Sequence, residues 1–175
     1  MSQILYRTTT LEPGAGRTIH GLAVPFGETV DISDPFGEYQ ERFEPGAFRR
    51  TIRERSDKVR LFTQHDRRRL PIGKATELVE RTDGLHAAFE VAATTDGDDA
   101  LELVRSGVVD AFSIGFRPIR EHRDGAVVVR TEVALMEVSL VSDPAYPGAT
   151  VAGVRSRGRV IPLPTAAARL RLLEL

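Results

Sequence analysis

Short apolar runs with a two-residue alternation, each closed by turn residues, recur along most of this sequence. Residues 18–26 are closed by Pro25 and Gly27, and residues 133–141 lead into a stretch rich in Ser, Asp and Pro. Asp124-Gly125 lies between two further runs, and this pair favours the tight turn of a β-hairpin. Runs of this length and spacing are typical of strands rather than helices. The sequence therefore predicts a chain built mainly of β-strands.

The other predicted elements fit the same fold class. We predict strands at residues 18–26, 38–43, 59–64, 111–116, 119–123, 126–130 and 133–141, and a hairpin of residues 71–80 and 84–92. Two short helices are predicted at residues 47–55 and 96–105, and the second begins among acidic residues and ends before Gly107. This pattern predicts a mainly β fold, an antiparallel barrel or sandwich with peripheral helices.

The pattern loosens towards the end of the chain. With 175 residues the chain suits one domain, which we place at residues 1–153. Residues 154–175 are rich in Arg, Gly and Pro at first and then amphipathic. We interpret them as a linker followed by a short C-terminal helix at residues 164–175, either packed on the barrel or serving as a removable tail.

Composition excludes several kinds of chemistry. The chain has no cysteine, which rules out disulfides, thiolate metal sites and a cysteine nucleophile. Its net charge of -1 gives no overall attraction to nucleic acid or membranes. No stretch approaches the ~20 apolar residues of a membrane span, and the N-terminus has no run of signal-peptide length. We therefore expect a cytosolic protein, or one carried elsewhere by its partners, that needs no metal or cofactor.

Ser113 is the first residue with a potential catalytic role. It lies in the apolar strand 111–116 and shares one face with Ala111 and Gly115, small residues that leave room for a substrate backbone. Taken alone, Ser113 is either a nucleophile or a core serine bonded to a neighbouring carbonyl. The similarity of residues 111–115 to the G-x-S-x-G elbow of α/β-hydrolases is rejected, because a β-rich stretch and Pro118 follow instead of a helix.

Glu137 and His65 complete the set of candidate catalytic residues. A carboxylate in the apolar strand 135–141 is costly unless it is paired, so Glu137 has either an arginine partner or an imidazole to orient. His65 is predicted to end strand 59–64 on its inward face, as a general base or as an incidental residue. Adjacent strand residues face opposite sides, so Asp66 is the poorer partner for His65. Surface or loop roles are expected for the other histidines, His20, His86 and His122.

Five short segments, in this order, resemble the prohead maturation proteases of HK97-type tailed phages. They read FEPGAF at 43–48, LFTQHD at 61–66, PIG at 71–73, AFSIGF at 111–116 and MEVSLVSDPA at 136–145. The family is related to the herpesvirus assembly proteases, so the resemblance implies a β-barrel ringed by short helices. Together the segments extend over most of residues 18–153.

The resemblance also implies roles for the candidate residues. Ser113 would be the nucleophile, His65 its general base, and Glu137 the third member, at the place of a second histidine in the herpesvirus enzymes. Gln64 stands where asparagine is more usual. The loop at residues 142–150 lacks the arginine of the herpesvirus oxyanion loop. Backbone N–H groups near Ser142 and Asp143 are therefore the expected oxyanion donors.

The function implied is cleavage of coat-protein or scaffold segments, and of the protease itself, within an assembling procapsid in the host cytoplasm. The expected partners are the major capsid protein or a scaffold polypeptide, and the herpesvirus relatives suggest a homodimer. Two alternatives remain at this point. One is a non-catalytic capsid-assembly module on the same barrel, and the other is a nucleic-acid-binding barrel that uses the arginines between residues 49 and 69.

Overall fold

The computed structural model of the chain describes residues 16–34, 37–146 and 148–155. Two α-helices are found there, α1 (Arg49–Arg55) and α2 (Thr95–Arg105), and a 3-10 helix, Ser56–Lys58, follows α1. The strands are β1 (Thr18–Pro25), β2 (Val30–Asp34), β3 (Gly37–Phe43), β4 (Arg60–Thr63), β5 (Gly73–Arg81), β6 (Gly84–Val91), β7 (Ala111–Asp124), β8 (Val127–Val141) and β9 (Thr150–Arg155). The predicted fold class, mainly β with peripheral helices, is confirmed.

All nine strands belong to one sheet, in the order β2-β3-β8-β4-β5-β6-β1-β9, with β7 on the other edge of β8. β9 returns to the start of β7, where the Val151 N–H donates to the Asp110 carbonyl over 2.8 Å. The sheet thus closes on itself, as in a barrel. Neither described helix is long and apolar enough to cross a membrane.

Strand β8 is the centre of the sheet and makes it mixed rather than wholly antiparallel. β7 pairs with it antiparallel along one edge, whereas β3 and then β4 pair with it in parallel along the other. Between those two partners, α1 packs on β8, and the Thr51 hydroxyl of α1 bonds to the β8 main chain. This hydroxyl accepts from the Leu135 N–H (3.1 Å) and donates to the Val133 carbonyl (3.4 Å). Because β8 is 15 residues long, both parallel partners fit along it.

Aromatic side chains fill the interior of the sheet. Phe43, Phe48, Phe89 and Phe112 are fully buried, and the Phe43 and Phe48 rings lie 5.3 Å apart between centroids. Burying a side chain of this size stabilises a fold by roughly 1.5–3 kcal/mol. Side chains alternate along a strand, so an inward Phe112 fixes Ser113 on the outer face of β7.

Three elements differ from the sequence prediction. β2 was not predicted, because its aspartates are typical of loops and only its pairing with β3 makes it a strand. The separate strands expected at residues 111–141 are one long hairpin, β7–β8, that continues through Pro118. The register shifts beside Pro118, at an irregularity where a residue without an N–H is tolerated. β9, at Thr150–Arg155, was not predicted as a strand. The helix predicted at residues 164–175 lies outside the described residues.

Candidate active site

His65 lies on a tight turn rather than on the inward face of a strand, which corrects the sequence prediction. Strand β4 ends at Thr63, and the next two residues, Gln64 and His65, have left-handed backbone angles (φ 51° and 56°). Each such residue costs roughly 1–2 kcal/mol, so the surrounding structure must hold the turn in place. The turn leaves the His65 side chain 40% exposed and directs its ring towards β8.

Glu137, in the last third of β8, contacts this ring. Its carboxylate Oε1 lies 2.7 Å from His65 Nδ1, and its Oε2 accepts a hydrogen bond of 2.7 Å from the Ser139 hydroxyl. The Glu137 side chain is only 3% exposed. An ionised carboxylate can only accept hydrogen bonds, so Nδ1 carries the proton and Nε2 is left as the basic nitrogen.

The register of the β7–β8 hairpin places Ser113 on the same face of the sheet as Glu137. Ser113 is directly opposite Ser139, and Gly115 is directly opposite Glu137. Residues that face each other in an antiparallel pair project to the same side of the sheet. Ser113 therefore shares the outer face with Glu137 and Ser139. Within the described part of the chain, Ser113 and the His65 ring are not hydrogen-bonded, a contact that often tightens only in the substrate complex.

Gly115 makes room for the Glu137 carboxylate. A Cβ atom added to Gly115 would lie 2.3 Å from Glu137 Oε1 and 3.0 Å from its Cδ. The space that sequence analysis assigned to a substrate backbone is thus occupied, at this position, by the acid. The glycine is required by the close approach of the Glu137 carboxylate rather than by its backbone angle.

Replacing this glycine with alanine tests the packing of the acid. We expect Gly115→Ala to push the Glu137 carboxylate away from His65 Nδ1, because the added methyl group would overlap Glu137 Oε1. NMR of the His65 Nδ1–H and thermal unfolding of the same preparation would measure the displacement and the loss of stability. An unchanged Nδ1–H resonance in a folded Gly115→Ala protein would contradict this role.

A cavity of about 290 Å³ opens beside Ser113. Phe112, Ile114 and Phe116 of β7 form one wall, and Ala145 and Tyr146 of the loop after β8 form another. Most of this lining is apolar, apart from a buried charged cluster at Glu41 and Arg130. The loop that sequence analysis connected with the oxyanion site therefore lies on the same cavity as Ser113.

The charged cluster anchors that loop. Glu41 Oε2 accepts from Arg130 Nε over 2.6 Å, and Glu41 Oε1 accepts from the Tyr146 hydroxyl over 2.9 Å. Burial raises the pKa of the Tyr146 phenol, and the negative charge of Glu41 raises it further. Burial by itself would lower the pKa of Arg130, but its hydrogen bond to Glu41 and the negative charges of Glu41 and Glu121 together outweigh burial, so the pKa is raised. Both groups therefore keep their protons and hold the loop against β3.

Removing Arg130 would leave Glu41 buried without its counter-charge. We expect Arg130→Met to lower the free energy of unfolding by about 3–5 kcal/mol, as for other broken buried pairs. The control is Arg120→Met, whose side chain is 78% exposed and pairs with Glu132 at the surface. That pair contributes at most about 1 kcal/mol. Urea unfolding of both variants gives the comparison, and equal losses would contradict the structural role of the cluster.

Two parts of the site were not found by sequence analysis. Ser139 lies in an apolar strand and has no local signal of a role, although it bonds both His65 and Glu137. The pairing of Glu41 with Arg130 joins residues 89 positions apart and has no local signal. Of the other candidates, His86 contacts Asp83 at 2.9 Å, and Asp66 accepts from the Arg68 N–H within its own turn. No group of three potential metal ligands occurs among the described residues.

The fold has a match among solved structures. KSHV protease, a herpesvirus protease solved in complex with a hexapeptide phosphonate inhibitor, superposes with a TM-score of 0.52. The superposition covers 78% of this chain and 64% of that protein, at 10% sequence identity. Similarity at this level of identity shows a shared herpesvirus-protease-like fold, and confirms the fold that the resemblance implied.

The sequence identifies the family. Residues 5–160 match the family described as caudovirus prohead serine protease, and the chain belongs to it. The prohead protease of Enterobacteria phage HK97 is 28% identical over 118 residues, which cover 64% of this chain and 52% of that protein. The prohead protease of Escherichia phage T5 is 38% identical over 82 residues, 46% of this chain and 38% of that protein. The chain thus spans about half, or less, of the curated relatives it matches.

Proposed function

We propose that this chain is a serine endopeptidase of phage prohead maturation, with Ser113 as nucleophile, His65 as general base and Glu137 as the acid that orients the base. The contact that carries the proposal is the 2.7 Å pairing of His65 Nδ1 with the buried Glu137 carboxylate. Glu137 is directly opposite Gly115, two residues along β7 from Ser113. Family membership supports the same assignment, because the family is one of serine proteases.

The chemistry follows from these three groups. Ser113 Oγ attacks the scissile carbonyl while His65 Nε2 takes its proton. The imidazolium that forms is stabilised by Glu137, which also holds the ring in the required tautomer. The tetrahedral intermediate collapses to an acyl-enzyme as the imidazolium returns the proton to the leaving amine. Water then repeats the sequence, releases the acid product and restores Ser113. No cofactor is needed for any step.

The loop after β8 is the proposed source of the oxyanion donors. Ser142 and Asp143 come directly after β8, and the loop continues along the cavity beside Ser113. Backbone N–H groups near these two residues can stabilise the negative oxygen, whereas Pro144 has no N–H to donate. The anchoring of Tyr146 to Glu41 would keep these donors in place during turnover.

The proposed substrate is an extended segment of the coat protein or a scaffold polypeptide, and of the protease itself, inside the assembling procapsid. Residues 117–124 of β7 are exposed, and among the described strands β7 is paired with β8 alone, so its other edge is available to an extended peptide. The apolar cavity of about 290 Å³ is large enough for one substrate side chain beside the scissile bond. A homodimer is part of the same proposal and rests on the herpesvirus resemblance alone.

Co-expression with the coat and scaffold proteins of the same phage tests this function. We expect the coat or scaffold polypeptide to be shortened at a defined position, which mass mapping of the products would locate. The rival is a non-catalytic assembly module on the same barrel. Intact partners in the presence of a folded protein would favour the rival over the peptidase.

A further inference from the structure

A second serine, Ser139, connects the proposed acid and the proposed base. It lies on β8 directly opposite Ser113 and has 0% of its surface exposed. Its hydroxyl donates to Glu137 Oε2 (2.7 Å) and accepts from the backbone N–H of His65 (3.2 Å). One hydroxyl group therefore bonds the side chain of the acid and the main chain of the base.

The bond to Glu137 fixes the plane of the carboxylate. Oε1 is bonded to His65 Nδ1 and Oε2 to Ser139, so each oxygen has its own partner. Without the Ser139 donor, one oxygen of a carboxylate that is 3% exposed would lose this partner. Rotation about the last side-chain bond would then be opposed mainly by the bond to His65. The Ser139 hydroxyl thus holds the acid in the orientation that the base requires.

The bond to His65 holds a turn that is not intrinsically favourable. Gln64 and His65 are consecutive non-glycine residues with left-handed backbone angles. The Gln64 N–H donates to the Leu140 carbonyl (2.9 Å), and the His65 N–H donates to Ser139 Oγ. Two adjacent residues of β8 thus fix the two adjacent residues of the turn. Among the described side chains, Ser139 is the one that bonds the His65 main chain.

We propose that Ser139 is a positioning residue that sets the relative geometry of His65 and Glu137. This inference rests on the proposed peptidase function. Ser139 is distinguished from the nucleophile by its surroundings, since it is fully buried with its hydroxyl engaged as donor and acceptor. Ser113 is half-buried and lines the cavity. Ser139 acts on the reaction through the other two residues and does not contact the substrate.

The test compares two buried hydroxyls that have the same kind of bonding. Ser139→Ala removes the proposed positioning group. Thr51→Val removes a hydroxyl of α1 that is also buried and also bridges two groups, but its partners are main-chain groups of Val133 and Leu135 rather than His65 or Glu137. Steady-state kinetics would use a fluorogenic peptide covering the mapped cleavage site. We expect Ser139→Ala to lower kcat roughly 10- to 100-fold with little change in KM, and Thr51→Val to leave both within about twofold.

A second arm separates positioning from general destabilisation. In a Glu137→Ala background the carboxylate that Ser139 orients is absent and only its bond to the His65 N–H remains, so adding Ser139→Ala should lower the remaining turnover by a smaller factor than it does in the parent. If Ser139→Ala fails to fold, Ser139→Cys replaces it, because cysteine is of similar size and is a weaker donor. Its loss of kcat should be smaller than the roughly 10- to 100-fold expected for Ser139→Ala. NMR of the His65 ring gives a readout independent of turnover. Its Nδ1–H resonance should shift in either Ser139 variant and stay unchanged in Thr51→Val.

Failure of this inference can be distinguished from failure of the proposed function. If the parent cleaves through Ser113 but Ser139→Ala matches Thr51→Val in kcat and in the NMR signal, Ser139 has no positioning role and the peptidase assignment stands. The inference is also overturned if Ser139→Ala reduces kcat equally with and without Glu137. If the parent shows no Ser113-dependent cleavage, the proposed function itself fails.

Discussion

Ser113→Ala should abolish processing of the co-expressed coat or scaffold protein while leaving the fold unchanged. Loss of the nucleophile removes the acyl-enzyme route, and comparable changes in serine proteases reduce turnover roughly 10⁴- to 10⁶-fold. Only one oxygen atom of a half-buried side chain is lost, so the free energy of unfolding should change by less than about 1 kcal/mol. Gel analysis and mass mapping of the products, with thermal unfolding of the purified variant, measure both effects.

The control for this variant is Ser106→Ala. Ser106 is an exposed serine at the end of α2, and its hydroxyl bonds only to carbonyls of its own helix. Its removal should leave processing at the parental level. Undiminished cleavage by Ser113→Ala would exclude Ser113 as the nucleophile, whatever the control shows.

Glu137→Gln is expected to have the next largest effect. The amide keeps the size of the side chain but replaces one acceptor oxygen with an NH₂ donor. In the parent, Glu137 accepts from both His65 Nδ1 and the Ser139 hydroxyl. The new NH₂ group must therefore face either Nδ1, which it forces to act as an acceptor, or the Ser139 hydroxyl, which must reverse its bond. The ring is then free to take the wrong tautomer, and the imidazolium loses its counter-charge. We expect kcat to fall roughly 10²- to 10⁴-fold.

The matched control is Glu132→Gln, five residues earlier on the same strand. The Glu132 carboxylate is 19% exposed and pairs with Arg50 and Arg120, away from the site. This change should leave kcat within about twofold and alter stability by at most about 1 kcal/mol. Equal activity of the two glutamine variants would show that Glu137 has a purely structural role.

Local sequence patterns were sufficient to predict most of the barrel. The turn pair Asp124-Gly125 marks the long hairpin, and the alternation around Phe112 places Ser113 on the outer face of β7. Helix α2 was found within one residue because its first turn is acidic and Gly107 follows its end. These features depend on neighbours in the chain, which is why a single sequence contains them.

Long-range pairing determined the parts that the sequence did not predict. The parallel register of β4 beside β8 brings residues 63–65 next to residues 137–140, and no local pattern encodes it. The left-handed turn at Gln64 and His65 is stable only because groups on β8 accept its N–H bonds. Ser139 was overlooked for the same reason, since a serine in an apolar strand has no distinctive local signal. The buried partner of Arg130 likewise lies on a distant strand.

Covalent labelling tests the central assignment most directly. The protein would be treated with a fluorophosphonate, which reacts with an activated serine hydroxyl, and the modified peptide would be identified by mass spectrometry. We predict a single adduct on Ser113, absent in Ser113→Ala and formed much more slowly in His65→Ala and Glu137→Gln. A protein that cleaves its substrate but carries the adduct on another serine, or whose Ser113 labels equally fast without His65, would contradict the proposed mechanism.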